Sequence, residues 1–296
     1  MGLHQPEDGR SGMLPVVHSI FDPEALISTL ETRYDIGAIA ACVLYRSYAN
    51  DVFRVTSTDG AVYYLKVYRR EWRSASDVAW ELRIQQHIME SGVSIAKPID
   101  RRDGAALSMF AAPEGKRAAV LYAQASGVKP QRPFTAELYT AFGRAAAGLH
   151  AALDRMPDTS GRPPDTIETL VLSPGRIMQT LFDPASDEHH AIDTIVYSLA
   201  RELDQRSSAL DWGVCHGDLT LDNVTVTEDG SFTFYDFDLA ALSWRARDPC
   251  GVYAASRLLP HAHGFWNAFL AGYRQVRSFS DDDEQAVPLM YAISQF

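Results

Sequence analysis

Asp218, Asn223 and Asp236 are the residues of this chain best suited to chemistry. They sit in Val214-Cys215-His216-Gly217-Asp218-Leu219-Thr220-Leu221-Asp222-Asn223 and, after a short gap, Phe234-Tyr235-Asp236-Phe237-Asp238. An Asp, an Asn five residues later and a second Asp on the next strand is the order that phosphoryl transfer requires. The γ-phosphoryl group passes through a loose transition state, so the protein contributes positioning and charge neutralisation more than covalent chemistry. Mg²⁺ takes oxygen ligands and keeps several waters, so two protein oxygens plus phosphates suffice, and Asn223 and Asp236 are suited to supply them. Asp218, left off the metal, would accept a hydrogen bond from the attacking hydroxyl and align it. Taken singly, each of these residues would read as a turn-former bonded to nearby backbone; their joint order favours a catalytic loop.

The surrounding elements fit that reading. Ala209 to Val214 is a short apolar run, Leu221 to Thr227 alternates toward a Glu228-Asp229-Gly230 turn, and Ser231 to Phe237 returns as an aromatic-rich strand. The loop therefore lies between strands. His216, just ahead of Gly217-Asp218, is assigned a structural role as a packed residue bonded to loop backbone.

In the N-terminal half, Val52 to Ser57, Asp59-Gly60 and Ala61 to Tyr68 describe a hairpin whose Asp-Gly pair predicts a tight type I′ turn. Its second strand carries Lys66 between large apolar residues, a position that calls for a partner if buried and for none on an edge strand. Ser74-Ala75-Ser76-Asp77 resembles a capping box, and the helix it opens carries Glu81, Ile84 and Ile88 on one face before Gly92 ends it. Glu81 would pair with Lys66 and hold it against the α- and β-phosphates; the alternative is one more solvated helix charge beside Glu71 and Glu90.

His216-Gly217-Asp218 with Asn223, then Tyr235-Asp236-Phe237-Asp238 and Arg247-Asp248-Pro249, resemble the aminoglycoside phosphotransferase and choline kinase superfamily of protein-kinase-like enzymes. Within it, the spacing is most similar to the branch of type II homoserine kinases and stress response kinases. The match runs from about Ala40 to Tyr273. The resemblance implies an α+β, two-lobed protein-kinase-like fold: a small antiparallel β-sheet lobe with one main helix, and a larger, mainly helical lobe. The expected boundaries are a disordered leader over 1–15, a nucleotide-binding lobe over 16–124, a hinge over 125–133, and a catalytic and acceptor-binding lobe over 134–296.

The resemblance also assigns roles. The turn Arg46-Ser47-Tyr48-Ala49-Asn50-Asp51 contains no glycine-rich or Walker pattern; in the superfamily a Ser- and Asn-bearing turn often covers the phosphates, which makes Ser47 and Asn50 candidates, with a plain β-turn as the equal alternative. Backbone near Tyr122 to Gln124 would hold the adenine edge. Asp248 would brace the catalytic loop from the following helix. The stretch from Asp154 to Arg206 would form the acceptor pocket.

Beyond the hinge the apolar period changes from two to helical. Thr135 to Leu153 carries Leu138, Phe142, Ala145 and Leu149, ending near His150, which is expected to be a buried hydrogen-bonding residue and not a metal ligand. Asp154 to Pro164 should be a loop, Pro174 to Phe182 and Glu188 to Arg206 helices. Trp244, Arg245 and Tyr253 are candidates to line the acceptor site, Arg245 for a carboxylate and Trp244 for an apolar or cationic group; aromatics in such positions otherwise serve the core. Asp222 and Asp238 are candidates to meet an ammonium.

The 296 residues are 46% apolar with a net charge of −11, enough for two cores and unfavourable to nucleic acid or anionic membranes as partners. The acidity favours a cationic or zwitterionic acceptor. Cys42, Cys215 and Cys250 are few and scattered, which predicts free thiols and a cytoplasmic location. No apolar run reaches membrane-spanning length. Asp281-Asp282-Asp283-Glu284 suggests a solvated helix start, and the apolar, helix-like close of the chain suggests an early or trimmed end.

Together these features predict a monomeric or homodimeric enzyme that uses ATP, or GTP, and Mg²⁺ to phosphorylate a small-molecule hydroxyl: an antibiotic, as in antibiotic resistance, or an amino alcohol such as homoserine. The alternatives are a Ser/Thr protein kinase of the stress response type and a catalytically silent nucleotide-binding regulator.

Overall fold

A computed structural model describes residues 16–258 and 264–295; the leader expected over 1–15 lies outside them. The chain groups into two compact units, the first reaching Val78 and resuming over Pro98–Gln124, the second comprising Ala79–Lys97 and the residues from Ala125 onward. Residues 79–97, inside the span 16–124 drawn from sequence as one lobe, thus group with the second unit, and the division falls within helix α2 (Ala75–Glu90).

The first unit is a five-stranded antiparallel sheet, in the order β1 (Ile39–Ser47), β2 (Asn50–Ser57), β3 (Val62–Tyr68), β5 (Gly115–Ala123), β4 (Leu107–Ala112), with helix α1 (Pro23–Arg33) beside it. Asp22 caps α1 by accepting from the Glu24 N–H, and Pro23 stands at its first position, where no N–H is needed. Leu26, Leu30, Tyr34, Phe53, Val55, Leu65, Val67 and Leu121 form the core between helix and sheet. The β2–β3 hairpin is present, but its turn is not type I′. Asp59 keeps an ordinary φ and only Gly60, at +88°, is left-handed. The Asp59 carboxylate accepts from the Ser57 hydroxyl and the Ala61 N–H, which fastens a type I turn closed by a left-handed glycine. Pro98 makes only an isolated bridge to Tyr122.

The second unit is helical around small β pieces: the rest of α2, α3 (Ala136–Leu153), a π-helical turn running into α4 (Ser173–Gln179), α5 (Asp187–Ser207), β6 (Trp212–Cys215), β7 (Val224–Val226), β8 (Phe232–Phe234), β9 (Ala241–Trp244), α6 (Cys250–Leu258), α7 (Phe265–Tyr273) and α8 (Asp281–Ile293). The expected capping box is formed, with the Asp77 N–H given to Ser74 Oγ and the Ser74 N–H to Asp77 Oδ2. Thr135 caps α3 through the Leu138 N–H. Phe142, Leu149, Leu153, Phe234, Phe237, Phe269, Val287 and Met290 share one core with Ile84 and Ile88 of α2. Residues Leu221–Asn223 form a 3₁₀ turn, which delays the strand expected from Leu221. The acidic run does open α8, but Asp283 is buried: it accepts from the Asp211 N–H at 2.9 Å and from Ser280 Oγ at 2.6 Å. Among the described residues no helix is long and apolar enough to cross a membrane.

Candidate active site

Strands β6 and β9 pair in antiparallel register, Cys215 opposite Ala241, and deliver the chain to His216-Gly217-Asp218. Gly217 has φ +87°, and a Cβ there would collide with the Leu239 carbonyl; only glycine fits. Asp248 fixes this turn from below. Its two carboxylate oxygens accept the backbone N–H groups of His216 and Gly217, both at 2.7 Å. His216, fully buried, donates Nε2 to the Tyr235 carbonyl at 3.1 Å and packs on Phe237, centroids 4.4 Å apart.

Asp218 is exposed, and its Oδ2 accepts from Asn223 Nδ2 at 2.7 Å, the same amide reaching the Asp218 carbonyl at 2.9 Å. With its NH₂ committed to Asp218, the Asn223 amide keeps its oxygen as an acceptor, a hard oxygen suited by type to a metal. The β7–β8 register, Val224 opposite Phe234, together with the Tyr235 N–H given to the Asn223 carbonyl at 3.1 Å, sets Asp236 next to Asn223. Asp236 alone among the described non-glycine residues is left-handed, φ +68°, a conformation that costs an ordinary residue about 1–2 kcal/mol and is kept at sites that use it. Two oxygen ligands of this kind fit Mg²⁺ shared with phosphates. Among the described residues no three His, Cys, Asp or Glu side chains converge as a self-sufficient metal cage.

His150 connects Asp248 to the helical core. Its Nε2 donates to Asp248 Oδ2 at 2.8 Å while Nδ1 accepts from the Tyr273 hydroxyl at 2.7 Å. Burial and the nearby Arg245 charge press the imidazole pKa below its ordinary value, so the ring is neutral. Burial alone would raise the Asp248 carboxyl, but the His150 hydrogen bond and the loop N–H groups hold it well below the carboxylate range. Cys215 and Cys250 flank the site as free thiols; burial pushes Cys250 up to about 11, so it is not a nucleophile at neutral pH.

In the first unit, Lys66 lies on β3, between β2 and β5, and is 8% exposed. This removes the edge-strand alternative. Its ammonium stands 5.2 Å from the Tyr68 ring centroid. Ser47 and Asn50 end the facing strands of the β1–β2 hairpin; Ser47 Oγ donates to Asp51 Oδ1 at 2.6 Å and Asn50 Oδ1 accepts the Arg69 N–H at 3.3 Å. Asp51 is itself held by the fully buried Arg117, Nη2 to Oδ2 at 2.7 Å. Tyr122 is buried on β5, its hydroxyl 3.4 Å from that of Tyr68, and the Gln124 N–H is given to the Val62 carbonyl at 3.1 Å, so that donor is committed to the sheet. Glu81, in the second unit, is completely buried, bonded to Gln85 at 3.3 Å and with Arg162 Nη2 at 4.0 Å, which excludes a solvated helix charge.

The acceptor candidates separate. Arg245 is fully buried, its guanidinium laid across Gly213 and paired with Asp154. Trp244 is 7% exposed, donates to the Ser207 carbonyl at 3.3 Å and meets Trp212 edge-on. Both serve the core and neither is presented to an acceptor. Asp222 is at the surface in an ion pair with Lys129 at 2.9 Å, whereas Asp238 is 8% exposed. Tyr253 on α6 does line a cavity of about 400 Å³, with Arg257, Trp266, Asp281 and Glu284. Helix α6 starts against the catalytic loop, Gly251 facing the Thr220 methyl. Sequence reasoning missed Tyr273 and Arg162. Tyr273 looked like one more core aromatic, and Arg162 lies in a Pro- and Gly-rich loop that has no periodic signal.

A sheet-based unit followed by a helical one that carries an HGD…N…D loop braced by a buried acid defines a protein-kinase-like fold. The chain belongs to the phosphotransferase enzyme family, whose model matches residues 43–284, and it is a phosphotransferase acting on an alcohol group. It is 34% identical over 281 residues to an uncharacterised protein of Deinococcus radiodurans, covering 93% of this chain and 80% of that one. It is 28% identical to the homoserine kinase of Granulibacter bethesdensis, covering 93% and 83%. Among solved structures, the amicoumacin kinase hAmiN in complex with AMP-PNP, Ca²⁺ and Ami superposes with a TM-score of 0.76 at 20% identity, over 93% and 84% of the two chains. A microcompartment-associated aminopropanol kinase gives 0.71 at 21%, over 90% and 85%.

Proposed function

We propose that this enzyme moves the γ-phosphoryl group of ATP to a hydroxyl of a small amine-bearing molecule, an amino alcohol or an amino-substituted antibiotic. The hydrogen bond from Asn223 to the Asp218 carboxylate carries the reading, because it leaves the second oxygen of an exposed carboxylate to receive the acceptor hydroxyl and align it. In this scheme Asp218 is the base and orienter, while Asn223 and Asp236 are the metal ligands. Mg²⁺ held there would neutralise the charge on the transferring phosphates. Lys66 would meet the α- and β-phosphates as a point charge, and the β1–β2 turn would cover them through backbone N–H groups, since the Ser47 hydroxyl is already donated to Asp51. His216 and Asp248 support the loop. The cavity at Tyr253 would take the body of the acceptor; its size falls in the range of ordinary ligand pockets, and Asp281, Glu284 and Trp266 in its wall suit an ammonium, while Arg257 occupies the Tyr253 ring. The shared fold with a kinase solved with AMP-PNP, Ca²⁺ and Ami and with an aminopropanol kinase supports ATP as the donor and a small hydroxyl-bearing acceptor.

The test is an acceptor screen coupled to ADP release, with homoserine, aminopropanol, choline, aminoglycosides, other amino-substituted antibiotics and a generic protein, in ATP and in GTP. A rate that needs one small acceptor and disappears in Asp218→Ala is the expected result. Phosphorylation of the protein alone would replace this reading with a protein kinase.

A further inference from the structure

The loop between α3 and the π-helical turn grips two elements of the second unit. On one side it holds α2: Trp80 Nε1 donates to the Thr159 carbonyl at 3.0 Å, and Arg83 reaches Asp158 Oδ2 at 3.3 Å and the Ser160 carbonyl. On the other it holds the chain just beyond Asp236. Arg162 Nη1 donates to the carbonyls of Asp238 and Ala240, the Asp165 N–H to the Leu242 carbonyl at 2.8 Å, and Asp165 pairs with Arg247 at 2.8 Å. Arg162 is 8% exposed, lies 4.8 Å over the Trp80 ring and faces Glu81 at 4.0 Å. One guanidinium thus touches both the helix that carries the buried Glu81 and the segment that carries Asp236.

A left-handed aspartate persists only if its surroundings over-determine it. Upstream, Tyr235 is fixed by bonds to Asn223 and His216. Downstream, the carbonyls two and four residues after Asp236 are fixed by Arg162. We propose that Arg162 is a positioning residue that sets the Asp236 carboxylate for metal binding by clamping the Asp238 and Ala240 carbonyls while its charge is balanced by Glu81. This rests on the assignment of Asp236 as a metal ligand. A guanidinium suits the task, because Nη1 donates to both carbonyls while Nη2 faces Glu81 and the flat face lies over Trp80, whereas a lysine has one nitrogen and no flat face.

The experiment follows binding of a fluorescent ADP analogue as Mg²⁺ is titrated, alongside thermal melting, in the wild type, Asp236→Ala, Arg162→Met, Arg162→Lys and Arg83→Met. The wild type should bind with a Mg²⁺ dependence that Asp236→Ala abolishes; without that dependence both readings fall. Given it, Arg162→Met should raise half-saturating Mg²⁺ by about tenfold or more, the size expected when a partner that orients a metal ligand is lost, while metal-free nucleotide binding stays near wild type. Arg162→Lys should sit between the two, and it decides the matter if Arg162→Met does not fold. Arg83→Met, which removes two of the same loop's bonds to α2 and none to the segment after Asp236, should lower the melting temperature and leave the Mg²⁺ dependence in place. Wild-type Mg²⁺ dependence in the Arg162 variants, or an equal shift in Arg83→Met, would overturn the assignment and leave Asp236 as a ligand untouched.

Discussion

Asn223 Nδ2 lies 2.7 Å from Asp218 Oδ2, so the residue assigned to the metal also orients the residue assigned to the acceptor hydroxyl. Asp218→Ala should lower kcat by about 10²–10⁴-fold, the usual contribution of a positioned base, and leave Mg²⁺-dependent nucleotide binding within twofold. Asn223→Ala should do both kinds of damage. Steady-state kinetics with a confirmed acceptor, paired with calorimetric nucleotide binding, separates them; full turnover by Asp218→Ala would dismiss it as the base.

The buried His150–Asp248 bond makes stability pH-dependent in a defined direction. The His150 pKa is lowered from 6.5 by burial, so below about pH 6.5 the unfolded chain takes up a proton that the folded ring refuses. The Asp248 pKa is also lowered from its ordinary 3.8, so its contribution is present above that value and is lost on further acidification. Both effects weaken the fold as pH falls. The difference in melting temperature between wild type and His150→Gln should shrink from pH 8 to pH 5, because the variant lacks the titrating ring. A difference that stays constant over that range would show that His150 is not held neutral.

Asp248→Ala should be the most damaging single change at the loop. It strands the N–H groups of His216 and Gly217 and the buried His150 ring, each an unsatisfied group that costs about 1–3 kcal/mol. Urea unfolding should show a loss of several times the effect of Asp222→Ala, whose side chain stands 85% exposed.

The grouping of the His216–Asp236 loop was legible in the sequence because its spacing is set by one turn and one hairpin. Asp218, Asn223 and Asp236 fall together for that reason. The capping box at Ser74 was legible because it is a local bond within four residues. Type I′ geometry at Asp59-Gly60 failed for a local reason, the Asp59 carboxylate binding its own turn. The other failures were features decided at long range. Arg245 looked like an acceptor ligand, but Gly213 and Asp154, 32 and 91 positions away in the chain, give its guanidinium a buried seat. Arg162 carried no signal, since the carbonyls it holds belong to a segment 76 residues downstream.

That seat gives a test that distinguishes core from site. Asp154 is the partner of Arg245 and also of Arg277, at 2.7 Å. Asp154→Asn should destabilise the protein by about 1–3 kcal/mol, as expected when a partly exposed partner of a buried charge loses its own charge but keeps an acceptor oxygen, while leaving the acceptor KM unchanged at temperatures well below melting. Tyr253→Ala should behave in the opposite way. It removes an aromatic wall of the cavity and releases Arg257, which lies 5.2 Å from the ring centroid and donates to the hydroxyl at 3.0 Å, so the acceptor KM should rise about fivefold or more through loss of that wall and a displaced cation, with little change in melting or in nucleotide binding. If instead Asp154→Asn raised the acceptor KM and Tyr253→Ala did not, the acceptor would have to be sought on the Arg245 side of the catalytic loop.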